Sequence, residues 1–259
     1  MPRLLKPEAI REIVRRDPVW GVYALGDLAP PMFEHTRWFT PDLTLVLRLH
    51  DTTILFAMGT GSIREALDHV NWPVHLQVQQ DGLHEVERHA VVKDVRPMWR
   101  MVWIRRGGTF LSAEAPSAKV EVPPGQAQRL NAADVPALLE LYADGDATGE
   151  APDFFFPSMV DNGVFCGVYE DGRLSAAAGT HLLSREEGAA AIGNVYTRRD
   201  CRGRGFGRIV TASVLGAVAA IETIGLNVRA DNPAATRLYE SLGFVKHCPF
   251  YEGLATIRK

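Results

Sequence analysis

The chain has 259 residues, which is enough for one large domain or two domains of ordinary size. Hydrophobic residues make up 46% and charged residues 23%, which is the composition of a soluble globular protein. A formal net charge of -3 gives no electrostatic basis for nucleic-acid binding, and no apolar run approaches the ~20 residues that cross a bilayer.

The N-terminal half begins with two predicted helices. Ile10, Ile13 and Val14 lie on one face of the first helix. The second covers about 19–28 and ends before Pro30–Pro31, because proline cannot continue a helix. The predicted order is α-α-β-β-β-α-β, followed by one more helix and a strand. The segments located after Pro31 are 43–49, 53–58, 63–70, 74–78, 82–89 and 95–104.

A change of composition separates the two halves. Residues 106–108, 112–117 and 123–125 are poor in large apolar side chains and rich in glycine, proline and small residues. The sequence therefore predicts a domain boundary here, with one domain over 1–122 and a second over 123–259.

The C-terminal half has clearer patterning. A helix follows Asn131, and Asp171-Gly172 predicts a hairpin because glycine tolerates the positive φ of a tight turn. The predicted order is α-(α)-β-β-β-loop-α-β-α-β, close to that of the first half, as a duplicated fold with one degenerate copy would produce. The strands are predicted at 164–169, 174–182, 190–197, 226–228 and from 244, and the last two helices at 206–221 and 233–242.

The most informative segment is the glycine-rich loop at Arg202–Arg208. Its alternating glycines bring backbone N–H groups into one concavity at the start of an apolar helix, which suits a phosphate or pyrophosphate. The loop is neither a Walker loop nor a dinucleotide fingerprint, since Arg208 or Val210 stands where the last glycine would be required.

A second dense segment runs from Asn232 to Phe244. Asn232 suits an N-cap, Pro233 the first helical position and Gly243 the C-terminal stop. The apolar face of the helix includes Tyr239, which on this segment alone is best interpreted as a core tyrosine.

Together the two segments resemble the GNAT acyltransferase superfamily. The pyrophosphate motif of that family, Gln/Arg-x-x-Gly-x-Gly/Ala, is met by Arg202, Gly205 and Gly207, and Asn232–Phe244 matches its Asn-x-x-Ala-x-x-Leu-Tyr-x-x-x-Gly-Phe segment. The likeness is specific over about 194–244 and looser over the rest of the C-terminal half, while the N-terminal half carries no comparable motif.

The resemblance implies an α/β (α+β) fold. Its C-terminal domain would have a GNAT-like mixed, largely antiparallel sheet flanked by helices. A smaller N-terminal domain would precede it, GNAT-like but degenerate if the halves are duplicated. The layout is similar to that of two-domain members such as glycine N-acyltransferase.

The resemblance also implies an N-acyltransferase, in the first instance an N-acetyltransferase, that moves an acyl group from acetyl-CoA or another acyl-CoA to an amine in a ternary complex. Val195 N–H would polarise the thioester carbonyl, and Tyr239 would act as general acid towards the leaving thiolate. The residues that would bind the cofactor are Val195, Tyr196, Thr197, Arg202, Gly203, Arg204, Gly205, Phe206, Gly207, Arg208, Asn232, Ala235 and Tyr239.

The general base is open, because Ala189–Gly193 supplies no carboxylate on the third strand. The candidates are His181 on the preceding strand, Glu150 or Asp153 in the loop before Val164, and Asn194 acting through water. The acceptor is expected to be a small primary amine or an amino acid, with a protein N-terminus or lysine as the second choice.

An acyl-CoA sensor without turnover is the main alternative function, and a nucleic-acid binder is disfavoured by the net charge.

We expect no metal site, because His84 and His89 do not have the spacing of a zinc-protease helix. Gly59-Thr60-Gly61 is interpreted as a relic of a duplicated loop without a ligand. Three isolated cysteines and the lack of a secretory signal favour the cytoplasm, with no membrane partner, and a homodimer is left open.

Overall fold

The computed structural model describes residues 6–30, 32–104, 127–152 and 154–258. The chain divides into two units whose segments alternate along the sequence. The first unit comprises Met1–Met101, Val228–Pro233 and Lys246–Lys259, and the second comprises Val102–Asn227 and Ala234–Val245. The composition change at 105–126 lies outside the described residues, so the boundary between residues 122 and 123 stays a prediction.

In its described residues, the first unit has four helices, a run of antiparallel strands and one strand that pairs in parallel. Strands β1, β2 and β3 pair in antiparallel fashion, and β3 pairs with β4 in parallel. Its helices are α1 (Pro7–Val14), α2 (Val22–Gly26), α3 (Ile63–Leu67) and α4 (Gln80–His89). Its strands are β1 (Thr36–Phe39), β2 (Thr44–Leu49), β3 (Thr52–Ala57), β4 (Val74–Val78) and most of β5 (Ala90–Trp103).

The sheet of the first unit includes the end of the chain. Strand β11 (Phe244–Ile257) belongs to this unit from Lys246 onward, and its residues Tyr251–Ala255 pair antiparallel with Val78–Val74 of β4. Val74, Leu76 and Val78 alternate along β4 and are buried, as the two-residue period of a strand with one core face requires.

The second unit contains a mixed, largely antiparallel sheet flanked by helices, which confirms the predicted fold class. Strands β6 to β9 pair in antiparallel fashion and β9 pairs with β10 in parallel. The helices are α5 (Val135–Asp146), α6 (Ser158–Asn162), α7 (Phe206–Val218) and α8 (Pro233–Ser241). The strands are β6 (Gln128–Arg129), β7 (Phe165–Glu170), β8 (Arg173–Ser184), β9 (Ala189–Thr197) and β10 (Thr223–Arg229).

The turn between β7 and β8 is the one predicted from sequence. Asp171 and Gly172 have φ of 49° and 77°, so both central residues lie in the left-handed region that a type I′ hairpin needs. This turn sets the first antiparallel pairs, Glu170↔Arg173 and Tyr169↔Leu174, and the register shifts between Tyr169 and Val168.

The two halves of the chain share their order of elements, as the sequence predicts. In each half, two helices precede three antiparallel strands, a helix, a strand parallel to the third, another helix and a final strand. The strand at Thr36–Phe39 was not located from the sequence. Helices α3 and α7 end three residues earlier than predicted, where single turns close with hydrogen bonds from His69 N to Ala66 O and from Ile221 N to Val218 O.

Within the described residues, no helix combines the length and apolar character needed to cross a membrane.

Candidate functional site

Strands β9 and β10 pair along only part of their length. Ala189–Ile192 pairs with Thr223–Leu226, and in the described part of the chain the parallel register ends there. Strand β9 nevertheless continues to Thr197. Its last five residues, from Gly193, therefore offer a sheet edge to which an extended ligand can hydrogen-bond.

A β-bulge occurs in the part of β9 that pairs with β8 but not with β10. The register passes from Gly179↔Gly193 to Ala177↔Tyr196, so two β9 residues, Asn194 and Val195, face one β8 residue. Asn194 has a φ of 51°. A bulge of this kind redirects the backbone and leaves its extra residue outside the ladder.

The carbonyl of the bulge has a partner of its own. The Tyr142 hydroxyl on α5 donates to Asn194 O at 3.0 Å, in a buried position. Burial raises the pKa of Tyr142, so the hydroxyl stays protonated and remains a donor. This bond fixes the bulge from the helix side and was not foreseen, although a tyrosine on a buried helix face usually has a partner for its hydroxyl.

The glycine-rich loop joins β9 to α7. Gly203 and Gly205 have φ of 76° and 83°, and a Cβ at either would meet nothing within 4 Å. The need for glycine here is therefore conformational and not a lack of space. Ile209 N donates to Gly205 O at 3.1 Å, which closes the first turn of a helix of 13 residues. The N–H groups ahead of that turn point from the positive end of the helix dipole, as a diphosphate site requires.

Three segments of the second unit meet at Gly207. A Cβ at this position would lie 3.2 Å from Thr197 Oγ1 and 3.3 Å from Leu238 Cδ1. The close approach joins the end of β9, the first turn of α7 and helix α8. The three sequence segments that carry the family resemblance are thus neighbours.

Two of the three arginines of the loop form ion pairs with carboxylates. Arg202 donates from Nη1 and Nη2 to Glu150 at 3.0 and 3.2 Å, and Arg204 Nη1 donates to Glu170 at 2.7 Å. Arg204 also stacks over Phe206, with 4.6 Å between its Cζ and the ring centroid. Arg208, in the first turn of α7, has no ion pair among the described residues. Arg208 is therefore the loop cation most available to a phosphate.

Tyr239 lies on α8 beside Leu238. Its side chain is buried, and its ring packs edge-on against Phe244 with 6.1 Å between centroids. Ala235 is half-buried one turn earlier on the same helix. Asn232 is exposed directly before α8 and falls among the residues of the first unit, so its contact with a cofactor stays a prediction.

His181 lies next to the bulge. A Cβ at Gly193 would be 2.5 Å from the ring, so this glycine makes room for the imidazole. Burial lowers the pKa of His181, and its hydrogen bond with the Asn194 side chain opposes that effect only in part. Asn194 Nδ2 also contacts Met159 Sδ at 3.6 Å. The structure therefore brings two of the candidate bases, His181 and Asn194, beside Val195.

The carboxylate candidates for the base are differently placed. The bidentate contact with Arg202 and a hydrogen bond from Thr148 hold the pKa of Glu150 below its usual range. Asp153 lies outside the described residues. A carboxylate that sequence reasoning missed is Asp144, which accepts from the Tyr196 hydroxyl at 2.9 Å and from Arg199 N at 3.1 Å. It fixes Tyr196 at the end of β9.

The comparisons with known proteins show that the chain belongs to the GNAT family of acetyltransferases. The sequence profile described as "Acetyltransferase (GNAT) family" matches residues 135–244. The matched region contains the bulge, the glycine-rich loop and helix α8.

Curated relatives extend this result. The [ribosomal protein bS18]-alanine N-acetyltransferase of Salmonella typhimurium is 30% identical over 117 residues, which cover 44% of this chain and 77% of that protein. The mycothiol acetyltransferase of Paenarthrobacter aurescens is 26% identical over 204 residues, 72% of this chain and 62% of that protein. The matching enzyme of Tsukamurella paurometabola is 37% identical over 100 residues, but only 34% of its length is covered.

Solved structures share the fold over nearly the whole chain. A GNAT-family protein from Novosphingobium aromaticivorans superimposes with a TM-score of 0.63 at 23% identity, covering 93% of this chain and 97% of that one. A tandem GNAT protein from the clavulanic acid biosynthesis pathway gives a TM-score of 0.53 at 13% identity, covering 92% and 88%. At these identities the likeness concerns the fold alone.

Proposed function

We propose that the protein transfers an acetyl group from acetyl-CoA to a primary amine by direct attack within a ternary complex. The observation that carries this proposal is the bulge at Asn194–Val195 beside a glycine-rich loop that opens α7. A thioester and a diphosphate occur together in acetyl-coenzyme A, and the proposal assigns the thioester to the edge of β9 and the diphosphate to the N-terminus of α7.

The cofactor would lie along the end of β9. Its diphosphate would be bound by N–H groups of Gly203–Gly207 with charge from Arg208, and its amides would pair with the edge at Val195–Thr197. Arg202 and Arg204 would support the loop through Glu150 and Glu170, in place of the direct phosphate contacts first expected of them.

The chemical step needs an oxyanion donor, an acid and a base. Val195 N–H would stabilise the developing oxyanion, an interaction whose loss costs ~3 kcal/mol in other enzymes. Tyr239 would protonate the leaving thiolate. His181 would accept the proton of the attacking amine, directly or through a water held with Asn194, because its lowered pKa keeps it neutral at pH 7.

Two acceptor classes are proposed in order. A small amine or amino acid comes first, supported by the mycothiol acetyltransferases, which are named for a small molecule and include a match that spans 72% of this chain. A protein N-terminus comes second, supported by the bS18-alanine N-acetyltransferase, whose match covers 44% of the chain. We propose a cytoplasmic site of action, since all three cysteines are free thiols, and leave a homodimer open.

Calorimetric titration with acetyl-CoA tests the cofactor site. We expect binding by the natural chain and none by Gly205→Glu, because the new carboxylate would stand where the diphosphate binds. Gly172→Glu is the matched control: Gly172 has a φ of 77° and an equally open surrounding but lies in the β7–β8 turn. Equal loss of binding in both variants, or no binding by the natural chain, would refute the assignment of the loop.

An acyl-CoA sensor without turnover is the second candidate, kept because no carboxylate stands on the alanine-rich part of β9. A panel of small amines, amino acids and alanine-initiated peptides distinguishes the two by release of free coenzyme A thiol. Turnover with at least one acceptor supports the enzyme, whereas tight acetyl-CoA binding without turnover across the panel supports the sensor.

A further inference from the structure

Arg202 connects three parts of the second unit. Its Nη1 and Nη2 atoms bind both carboxylate oxygens of Glu150, and its Nε donates to Thr197 O at 3.2 Å. Its guanidinium also stacks over the Tyr196 ring at 5.6 Å. The first residue of the family motif is thus tied to the end of β9 and turned towards a carboxylate 52 residues away in sequence.

Glu150 lies in the chain between α5 and α6, which we call the α5–α6 segment (residues 147–152 and 154–157). This segment folds back on the end of α5: Glu150 N donates to Gly145 O at 3.0 Å and Thr148 N to the same oxygen at 3.1 Å. A Cβ at Gly145 would lie 2.6 Å from Ala151 N and 2.9 Å from Tyr196 Cε2. Gly145 is therefore close both to the segment and to the ring over which Arg202 stacks.

The α5–α6 segment leads directly to the residues around His181. The Phe155 ring packs edge-on against Tyr142, the residue that bonds the bulge, with 5.0 Å between centroids. In α6, which follows, Met159 contacts the side chain of Asn194. A change in the order of this segment would therefore reach the side of the bulge where the amine is expected.

The second ion pair of the loop, between Arg204 and Glu170, connects the loop to a different part of the second unit. Arg204 binds Glu170, at the end of β7, and so ties the loop to the β7–β8 turn and not to the α5–α6 segment. Both pairs are bidentate contacts of an arginine in the same loop. They differ in the segment that they connect to the loop. The Arg204–Glu170 pair is therefore a suitable control for the Arg202–Glu150 pair.

Stability does not explain the pair between Arg202 and Glu150. The two side chains are 43% and 44% exposed, and exposed ion pairs contribute little to folding. The bidentate geometry of the pair, in contrast, fixes the orientation of the Arg202 guanidinium relative to the Glu150 carboxylate as well as the distance between them.

We propose that Arg202 is a positioning residue that couples acyl-CoA binding to the order of the α5–α6 segment. The diphosphate, bound to the N–H groups of Gly203–Gly207, restrains the loop; the loop restrains the Arg202 guanidinium; and the guanidinium holds Glu150. The amine site is therefore completed after the cofactor binds. The inference rests on the proposed diphosphate site but needs no particular acceptor.

Hydrogen exchange of the full chain with and without acetyl-CoA tests the coupling. We expect acetyl-CoA to slow exchange of the Thr148, Gly149 and Glu150 amides by about threefold, which is the size of effect that an exposed ion pair can transmit. Glu150→Gln should still bind acetyl-CoA by calorimetry but lose this slowing, because it removes the bidentate charge pair with Arg202. Glu170→Gln should keep it.

The outcomes separate this inference from the proposed function. Slowing that persists in Glu150→Gln, or slowing lost equally in Glu170→Gln, would overturn the coupling while the cofactor site stands. Acetyl-CoA binding without any slowing in the natural chain would do the same. Failure of the natural chain to bind acetyl-CoA would remove the cofactor site and the coupling with it.

Discussion

His181 combines position and protonation state in a way that suits a general base. Its ring lies against Gly193 beside the bulge, and burial disfavours the charged imidazolium. The pKa is therefore below the ordinary 6.5, and the neutral form that can accept a proton predominates at pH 7.

The resulting pH dependence has a definite sign. Activity should rise with pH as His181 loses its proton, so the ascending limb of kcat/KM should lie below pH 6.5. His181→Gln should flatten that limb and lower the plateau by about 100-fold. A pH–rate profile measured on both chains checks this, and an unchanged limb in the variant would assign the base elsewhere.

Tyr239 should act on the chemical step and not on cofactor affinity. Tyr239→Phe keeps the buried ring against Phe244 but removes the hydroxyl, so kcat should fall by about 100-fold or more while the acetyl-CoA Kd changes less than about twofold. Steady-state kinetics and calorimetry measure the two quantities. Tyr169→Phe, which removes a hydroxyl bonded to Asp134 in the same unit, is the control and should leave kcat unchanged.

The loop arginines should differ in their effect on affinity. Arg208→Gln should weaken acetyl-CoA binding by about tenfold, the effect of losing one charge-assisted hydrogen bond. Arg204→Gln should weaken it less, because Arg204 is already paired with Glu170. Calorimetric Kd values for the two variants decide the order, and the reverse order would identify Arg204 as the phosphate ligand.

At the scale of elements, the bulge in β9 depends on a helix. Tyr142→Phe would leave the buried Asn194 carbonyl without its donor, which costs ~1–3 kcal/mol of folding free energy. The same change should lower kcat, because the direction of Val195 N–H depends on the bulge. Urea unfolding and steady-state kinetics report the two effects. Stability lost without any loss of kcat would show that the bulge holds its shape without Tyr142.

Local signals made most of the elements predictable from sequence. The Asp171-Gly172 turn and the glycines at 203 and 205 each require a positive φ, and each was found with one. The alternation in β4 and the periodic apolar face of α5 are likewise properties of a few neighbouring residues.

Long-range features of the site were not predictable in the same way. The bulge arises from the register between two strands, which no residue of β9 encodes alone. The sequence left open which arginines of the loop face a phosphate, and the carboxylates paired with Arg202 and Arg204 lie 52 and 34 residues away. A single sequence carries no signal for such pairings.

At the scale of the whole molecule, the N-terminal half repeats the order of helices and strands of the C-terminal half. The loop before its helix α3, Gly59-Thr60-Gly61, has a different environment from the glycine-rich loop before α7. Gly61 N donates to Asp42 Oδ2 at 2.8 Å, and a Cβ at Gly59 would lie 2.3 Å from the same oxygen. A carboxylate of the chain itself thus occupies the space in front of α3 that corresponds to the proposed diphosphate position in the second unit. This agrees with the interpretation of Gly59-Thr60-Gly61 as a relic without a ligand.

One acetyl-CoA should therefore bind per chain. Calorimetry should give a stoichiometry near one for the natural chain, and Gly205→Glu should abolish all of it. Two sites in the natural chain, or one site that survives in Gly205→Glu, would show that the first unit also binds the cofactor.

The sheet of the first unit has a consequence for synthesis on the ribosome. Strand β4 pairs with β11, and Tyr251 of β11 bonds Gln80, 171 residues earlier in the chain. Until that last strand is translated, β4 has an open edge, and open edges are where nascent chains associate wrongly. The first unit therefore cannot be completed before β11 is translated, and a nascent chain that stalls earlier leaves β4 unpaired on that side, a substrate for chaperones and proteases.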